Sequence, residues 1–218
     1  MDITAPTSLG PGRLVVAAAD APRALLWLGH GAGGGIDAID LAALAHALPA
    51  SGISVARYEQ PWRVAGKRVA SRPEALDIAW RETAPVVAGL AAGLPLFVGG
   101  RSAGARVACR TATELGAAGV VCLAFPLHPP GRTEKSRLDE LLLPDVPVLV
   151  LQGDRDTFGT AETVASEAAA QAGLQIVTVP GADHGMKTLK SSPLSPAAVR
   201  ELIVSTVAGF VDELVEGS

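Results

Sequence analysis

Several short stretches of this chain are apolar without interruption: "LLWL" at 25–28, "LFV" at 96–98, "VVCLAF" at 120–125 and "VPVLVL" at 146–151. A strand with one wet face alternates apolar and polar residues. A continuous apolar run of strand length has no wet face, so it belongs in a sheet covered on both sides, as parallel sheets are. Strands are therefore expected at Leu14–Ala18, Ala24–Leu28, Ile53–Tyr58, Leu94–Val98, Gly119–Phe125, Val146–Leu151 and Gln175–Val179. Between them lie helical patterns at Ala38–Leu48, Pro73–Ala92, Ala103–Leu115, Ala161–Ala172 and Pro196–Glu216. Strand and helix in repeated alternation predict an α/β fold with right-handed crossovers.

Helix punctuation agrees with this division. Asp37 can cap the first helix, and Gly52 follows its end. Thr160 can cap the helix that Gly173 would stop, and Ser195-Pro196 supplies a cap followed by proline at the first helical position. Two stretches, Glu59–Arg72 and Pro126–Pro144, lack a regular pattern. Loops of that length in a compact domain are often functional.

A chain of 218 residues can bury one core, so a single domain over 1–218 is expected. It is 49% hydrophobic with only 4% aromatic residues, so Ala, Val and Leu must fill that core. The net charge of −4 and the absence of a basic stretch argue against a nucleic-acid partner. No apolar run approaches the roughly 20 residues of a membrane span. Cys109 and Cys122 sit in apolar surroundings without metal spacing, which fits free thiols in a reducing compartment. The N-terminus shows no basic-then-apolar leader pattern. A cytoplasmic protein is expected.

The sharpest local feature is Gly100-Arg101-Ser102-Ala103-Gly104, a G-x-S-x-G between an apolar run and a helical pattern. A serine on a tight strand-to-helix turn has strained backbone angles, and flanking glycines relieve the crowding. The helix that follows aims N–H groups and positive potential at the hydroxyl. A serine hydroxyl needs a base to become a nucleophile. His184, in "PGADHGMK" after the last expected strand, is the candidate. His46 reads as a helix-face residue and His30 as a shaper of the glycine loop. His128, after a strand end, is read as either structural or a substrate contact. The histidine needs a carboxylate to fix its tautomer. "LQGDRDTFG" offers Asp154 and Asp156; Asp156 can turn back over the sheet edge, whereas Asp154 is placed to bond the turn's own backbone. Asp183 adjoins the histidine, but neighbouring residues usually point apart. The order Ser102, Asp156, His184 places all three just after strands, at the edge where open α/β sheets bind ligands.

"LGHGAGGG" at 28–35 has two readings. Gly29, Gly31 and Gly34 spell G-x-G-x-x-G, a phosphate cradle that would have to open a helix through Gly33, Gly34 and Gly35, each glycine costing about 1 kcal/mol against alanine. In the other reading a loop N–H, from Ala32 or else Gly31 or Gly33, joins the N–H of Ala103 to bind an oxyanion. The second reading makes use of Ser102, Asp156 and His184; the first leaves them as coincidences.

These motifs resemble the α/β-hydrolase superfamily over essentially the whole chain. More closely, "LGHGAGGG", "GGRSAGAR", "LAFPLHPPGR" and "LQGDRDTFG" look like the small cap-less branch of dienelactone-hydrolase-like proteins and the testis-expressed protein 30 and KANSL3-like group. The resemblance implies an α/β-hydrolase fold, a mostly parallel sheet with helices on both faces and no large cap domain, carrying a serine-hydrolase triad. Serine stands where dienelactone hydrolases proper have cysteine. The expectation is a hydrolase of small esters or thioesters that requires no metal or cofactor. Its partner would be a small-molecule acyl substrate. Its alternative is a hydrolase-like scaffold whose triad is inert. Arg101 can favour an anionic substrate or sit in a salt bridge, and Trp62, His128 and His30 are further candidates to line the site.

Overall fold

The computed structural model describes residues 1–169 and 171–217. Its strands are β1 (Asp2–Ala5), β2 (Gly12–Ala17), β3 (Ala24–Gly29), β4 (Ile53–Glu59), β5 (Leu96–Arg101), β6 (Gly119–Leu123), β7 (Val148–Gly153) and β8 (Leu174–Val179). They form one sheet in the order β1-β2-β4-β3-β5-β6-β7-β8. β2 runs antiparallel to β1 and β4, and every other pairing is parallel. The helices are α1 (Ile39–Ala47), α2 (Pro61–Val64), α3 (Pro73–Ala91), α4 (Ala103–Thr111), α5 (Leu138–Leu141), α6 (Ala161–Ala168) and α7 (Pro196–Glu216).

The uninterrupted apolar runs occupy the middle of this sheet. Every residue of β3, β6 and β7 is buried, whereas β2 alternates buried and half-buried positions. The period of two in a strand sends neighbouring side chains to opposite faces. Trp27, Val98, Val120, Cys122, Val148 and Val150 face a core closed by α3, α4 and α6. Leu26, Leu28, Phe97, Val121, Leu149 and Leu151 face a second core, closed by α1 and α7. In the first core the rings of Trp27 and Trp80 stack with centroids 3.6 Å apart. Cys109 and Cys122 meet there as buried free thiols with sulfurs 3.4 Å apart.

Some expectations need correction. β1 has no counterpart among the expected strands; its four residues owe their conformation to pairing with β2 rather than to a pattern of their own. The two irregular stretches hold the short helices α2 and α5. Asp37 does not cap α1: Ala38 occupies that position, and the Asp37 carboxylate pairs with Arg57 instead. α4 stops at Thr111 rather than Leu115; the residues after it run on as hydrogen-bonded turns to Gly116, whose φ is 61°. Gly173 does not end α6, which stops at Ala168; it introduces β8. Thr160 and Ser195 do cap α6 and α7, accepting the N–H groups of Thr163 and Ala198. No helix among the described residues is long and apolar enough to cross a membrane.

Candidate active site

Ser102 sits between β5 and α4 with φ 52° and ψ −110°, a backbone conformation costly for any residue with a side chain. The surrounding contacts force it. A Cβ on Gly100 would lie 2.4 Å from the Gly29 carbonyl oxygen, and one on Gly104 would lie equally close to the same atom. The turn therefore packs directly on the backbone of β3, and only glycine fits on either side of the serine. Ser102 is further held by its own N–H, which donates to the Leu123 carbonyl at 3.0 Å.

His184 lies 82 residues further along the chain, on the loop after β8, yet its Nε2 is 3.0 Å from Ser102 Oγ. Its Nδ1 is 2.8 Å from Asp156 Oδ2. The Asp156 carboxylate therefore accepts a hydrogen bond from Nδ1–H and holds the proton on that nitrogen, which leaves Nε2 free to accept from the serine hydroxyl. Asp156 is fully buried. A buried carboxylate must be compensated, and this one also accepts from Gln152 Nε2 at 3.0 Å and the Phe158 N–H at 2.8 Å. The Phe158 ring stacks on the imidazole at a centroid distance of 4.1 Å. Asp154 instead accepts the Gly181 N–H at 2.8 Å, and Asp183 accepts those of Gly185 and Lys187. Of the nearby carboxylates, then, the structure brings Asp156 to the ring and turns Asp183 onto its own loop, while Asp154, expected to bond its own turn, crosses instead to the loop after β8.

The glycine loop lies against the serine: a Cβ on Gly31 would stand 3.5 Å from Ser102 Cβ. α1 does not begin until Ile39, so the glycines open no helix, as a dinucleotide fingerprint would require. Among the described residues the N–H groups of Ala32 and Ala103 bond to no protein acceptor. Both residues line a pocket of about 10 Å³, room for one water molecule at most.

His30 and Trp62 are buried beneath this loop, on the wall of that small pocket rather than in the groove above it. His30 Nδ1 donates to the Gly31 carbonyl at 2.8 Å, and its Nε2 accepts the Gln60 N–H at 3.2 Å. Burial pushes its pKa below the usual value. It is a neutral brace for the loop. His128 is also buried and away from the groove, bonded through Nε2 to Glu167 at 2.7 Å. His30 thus takes the loop-shaping one of its readings and His128 the structural one, and Trp62 departs from its reading as a groove-lining residue; none of the three lines the groove, because the segments that carry them fold inward, which no periodic pattern announces.

The groove above Ser102 has a volume of about 1190 Å³ and runs between the glycine loop, α1, the histidine loop and the start of α7. It exceeds the usual small-molecule cleft or cavity of about 300–1,000 Å³ and lies open to solvent as a trough. Exposed His46 lies at its edge. Arg101 lines it, but its guanidinium is engaged by Asp40 and by the His184 carbonyl. Arg63, Lys187 and Arg200 also line it and make no ion pair among the described residues. Phe158, Gln152 and Asp40 belong to no motif that marks them in the sequence. The one available signal was polar: Gln152 and Asp40 interrupt apolar surroundings at fully buried positions.

The solved structure of an alpha-beta serine hydrolase homologue from Coxiella burnetii superposes with a TM-score of 0.76, at 17% identity over 95% of this chain and 97% of that one. XC6422 from Xanthomonas campestris, described as an α/β serine hydrolase without lid, gives a TM-score of 0.73 at 21% identity, covering 96% and 94% of the two chains. Est1E from Butyrivibrio proteoclasticus gives 0.76 at 15% identity, covering 99% of both. At these identities the likeness is one of fold. No curated protein matches the sequence. Residues 22–212 match the profile of the family described as an alpha/beta hydrolase domain, and the chain belongs to that family.

Proposed function

We propose that the protein is a serine hydrolase that cleaves a small-molecule ester or thioester through an acyl-enzyme. The observation that carries this reading is the unbroken hydrogen-bonded run from Asp156 through His184 to a strained Ser102 on the floor of an open groove. In this mechanism Ser102 Oγ attacks the carbonyl carbon while His184 Nε2 takes its proton. The oxyanion is received by the N–H groups of Ala103 and Ala32. The tetrahedral adduct collapses, the carbonyl–leaving-group bond breaks, and the departing alkoxide or thiolate takes the proton from Nε2. Water then attacks the acyl-serine, again losing a proton to Nε2. The second collapse releases the acid and returns that proton to Ser102. Asp156 stays ionised throughout and stabilises the imidazolium.

The charge of the groove supports a substrate that carries a negative group. Among the described residues, three unpaired cations line it, against the single carboxylate of Asp37, in a chain whose net charge is −4. Arg101, bonded on both sides, is not the cation free to meet that group.

The test is labelling with a fluorophosphonate probe alongside turnover of p-nitrophenyl acetate and butyrate. Wild type is expected to label and turn over, and Ser102→Ala and His184→Ala to do neither. A folded wild type that neither labels nor turns over rejects the enzyme and favours the inert scaffold.

A further inference from the structure

We infer that Arg101, anchored by Asp40, is a positioning residue that ties the loop carrying His184 to the turn carrying Ser102. This rests on the triad reading above. Arg101 immediately precedes Ser102, so its backbone belongs to the nucleophile turn. Its side chain crosses to the histidine loop, where Nη2 donates to the backbone carbonyl of His184 itself. On its other side Nη1 reaches Asp40 Oδ1 at 3.4 Å. Asp40 lies in the first turn of α1 with its side chain fully buried, and its Oδ2 has no hydrogen-bond partner.

A buried carboxylate with an unsatisfied oxygen is costly unless a cation compensates it. Arg101 is the cation in reach, and its own side chain is only 15% exposed. Asp40 in turn limits where the guanidinium can go. The planar fork then has one direction left for Nη2, and that direction ends on His184. The histidine loop has reason to need the tie. It turns sharply, with Met186 at φ 54°, and it packs Gly185 against Arg101: a Cβ on Gly185 would lie 3.7 Å from Nη2. The imidazole is already fixed at three points by Asp156, Ser102 and Phe158. Arg101 adds the backbone as a fourth, and it does so from the residue next to the nucleophile. Nucleophile and base therefore move together.

The experiment compares wild type with Arg101→Ala, Arg101→Lys and Asp40→Asn, each checked for folding by circular dichroism. Two readouts are used: steady-state hydrolysis of p-nitrophenyl acetate, and the far-downfield Nδ1 proton resonance of His184, assigned by its loss in His184→Ala. Misplacing a base by about 1 Å costs up to about 100-fold, so Arg101→Ala is expected to lower kcat about 10- to 100-fold with KM within about twofold. Added guanidinium ion should restore part of that loss, and the Nδ1 resonance should broaden or vanish in the variant. Arg101→Lys should recover only partly, because an ammonium lacks the two-sided fork. Asp40→Asn should fall between Arg101→Ala and wild type.

A folded Arg101→Ala with unchanged kcat and an intact resonance overturns the inference, and so does a loss confined to KM, which would mark Arg101 as a substrate contact. Should Arg101→Ala leave Asp40 stranded and the chain unfolded, Asp40→Leu with Arg101→Ala removes both charges and is read in the same way. A wild type that turns over no ester but loses its Nδ1 resonance on Arg101→Ala refutes the hydrolase and leaves the positioning role standing.

Discussion

Gly100 and Gly104 flank Ser102 in the turn beneath the site, Gly33 and Gly34 line the groove above it, and the two pairs are glycine for opposite reasons. At the lower pair any Cβ would drive into the backbone of β3 at 2.4 Å; at the upper pair nothing lies within 4 Å. The lower half of the site is a crowded seat that forces the serine into its strained angles. The upper half is an open loop beside a trough. One residue type thus serves rigidity in the first place and access in the second. The seat should answer to substitutions that alter volume or buried charge, the trough to those that alter charge in solvent.

Gly104→Ala tests the seat most severely. Alanine would gain about 1 kcal/mol in helix propensity, but its methyl meets the Gly29 carbonyl, and overpacking of that kind costs about 3 kcal/mol. The clash wins, so Tm in a thermal melt should fall by several degrees, about 2–4 °C per kcal/mol for a domain of this size. An unchanged Tm would mean that the seat is not crowded.

Acid should loosen the brace beneath the upper loop. Burial lowers the pKa of His30, so the fold favours the neutral ring, while the unfolded chain takes up a proton near pH ~6.5. This contribution is complete above that pH and is lost as pH falls from it through the lowered pKa of the folded state. Wild type should therefore lose more Tm than His30→Gln between about pH 7.5 and about pH 5.5. Equal losses would sink the idea.

The trough should respond more gently. A p-nitrophenyl half-ester of adipate should be cleaved with a higher kcat/KM than its methyl-capped counterpart, and added salt should erode the difference. Arg63→Ala should shrink the preference by about two- to fivefold. Equal rates on both esters at low salt would remove any role for the groove cations. Gly33→Ala closes the series: stability within about 0.5 kcal/mol of wild type, read from the same melts. A large loss there would erase the contrast between the two halves.

The alternation of β3, β5, β6 and β7 was legible because burial on both faces leaves a run with no polar residue. Ser102, Asp156 and His184 could be picked out because each follows a strand end, and the fold gathers strand ends at one edge. Asp156 was separable from Asp154 by the reach of the turn. What escaped was decided by contacts across the sequence. Phe158 is an ordinary loop aromatic until it meets His184, and Arg101 beside the serine gives no sign that its side chain belongs to a histidine 83 positions away. Trp62 and His128 looked available to a ligand because irregular segments carry them. Such segments carry no periodicity from which to tell which side chains turn inward.

The stacked pair of Trp27 and Trp80 has an optical consequence. Two indoles 3.6 Å apart, nearly parallel and shut away from water, are close enough for their excited states to couple. That coupling gives the near-ultraviolet circular dichroism a signature set by the distance between β3 and α3. The Trp80 ring also lies 3.1 Å from the position a Cβ on Gly29 would take, and Gly29 is the residue on which the serine turn rests. The protein thus carries its own chromophore beneath Ser102, one that reports the seat without any added label.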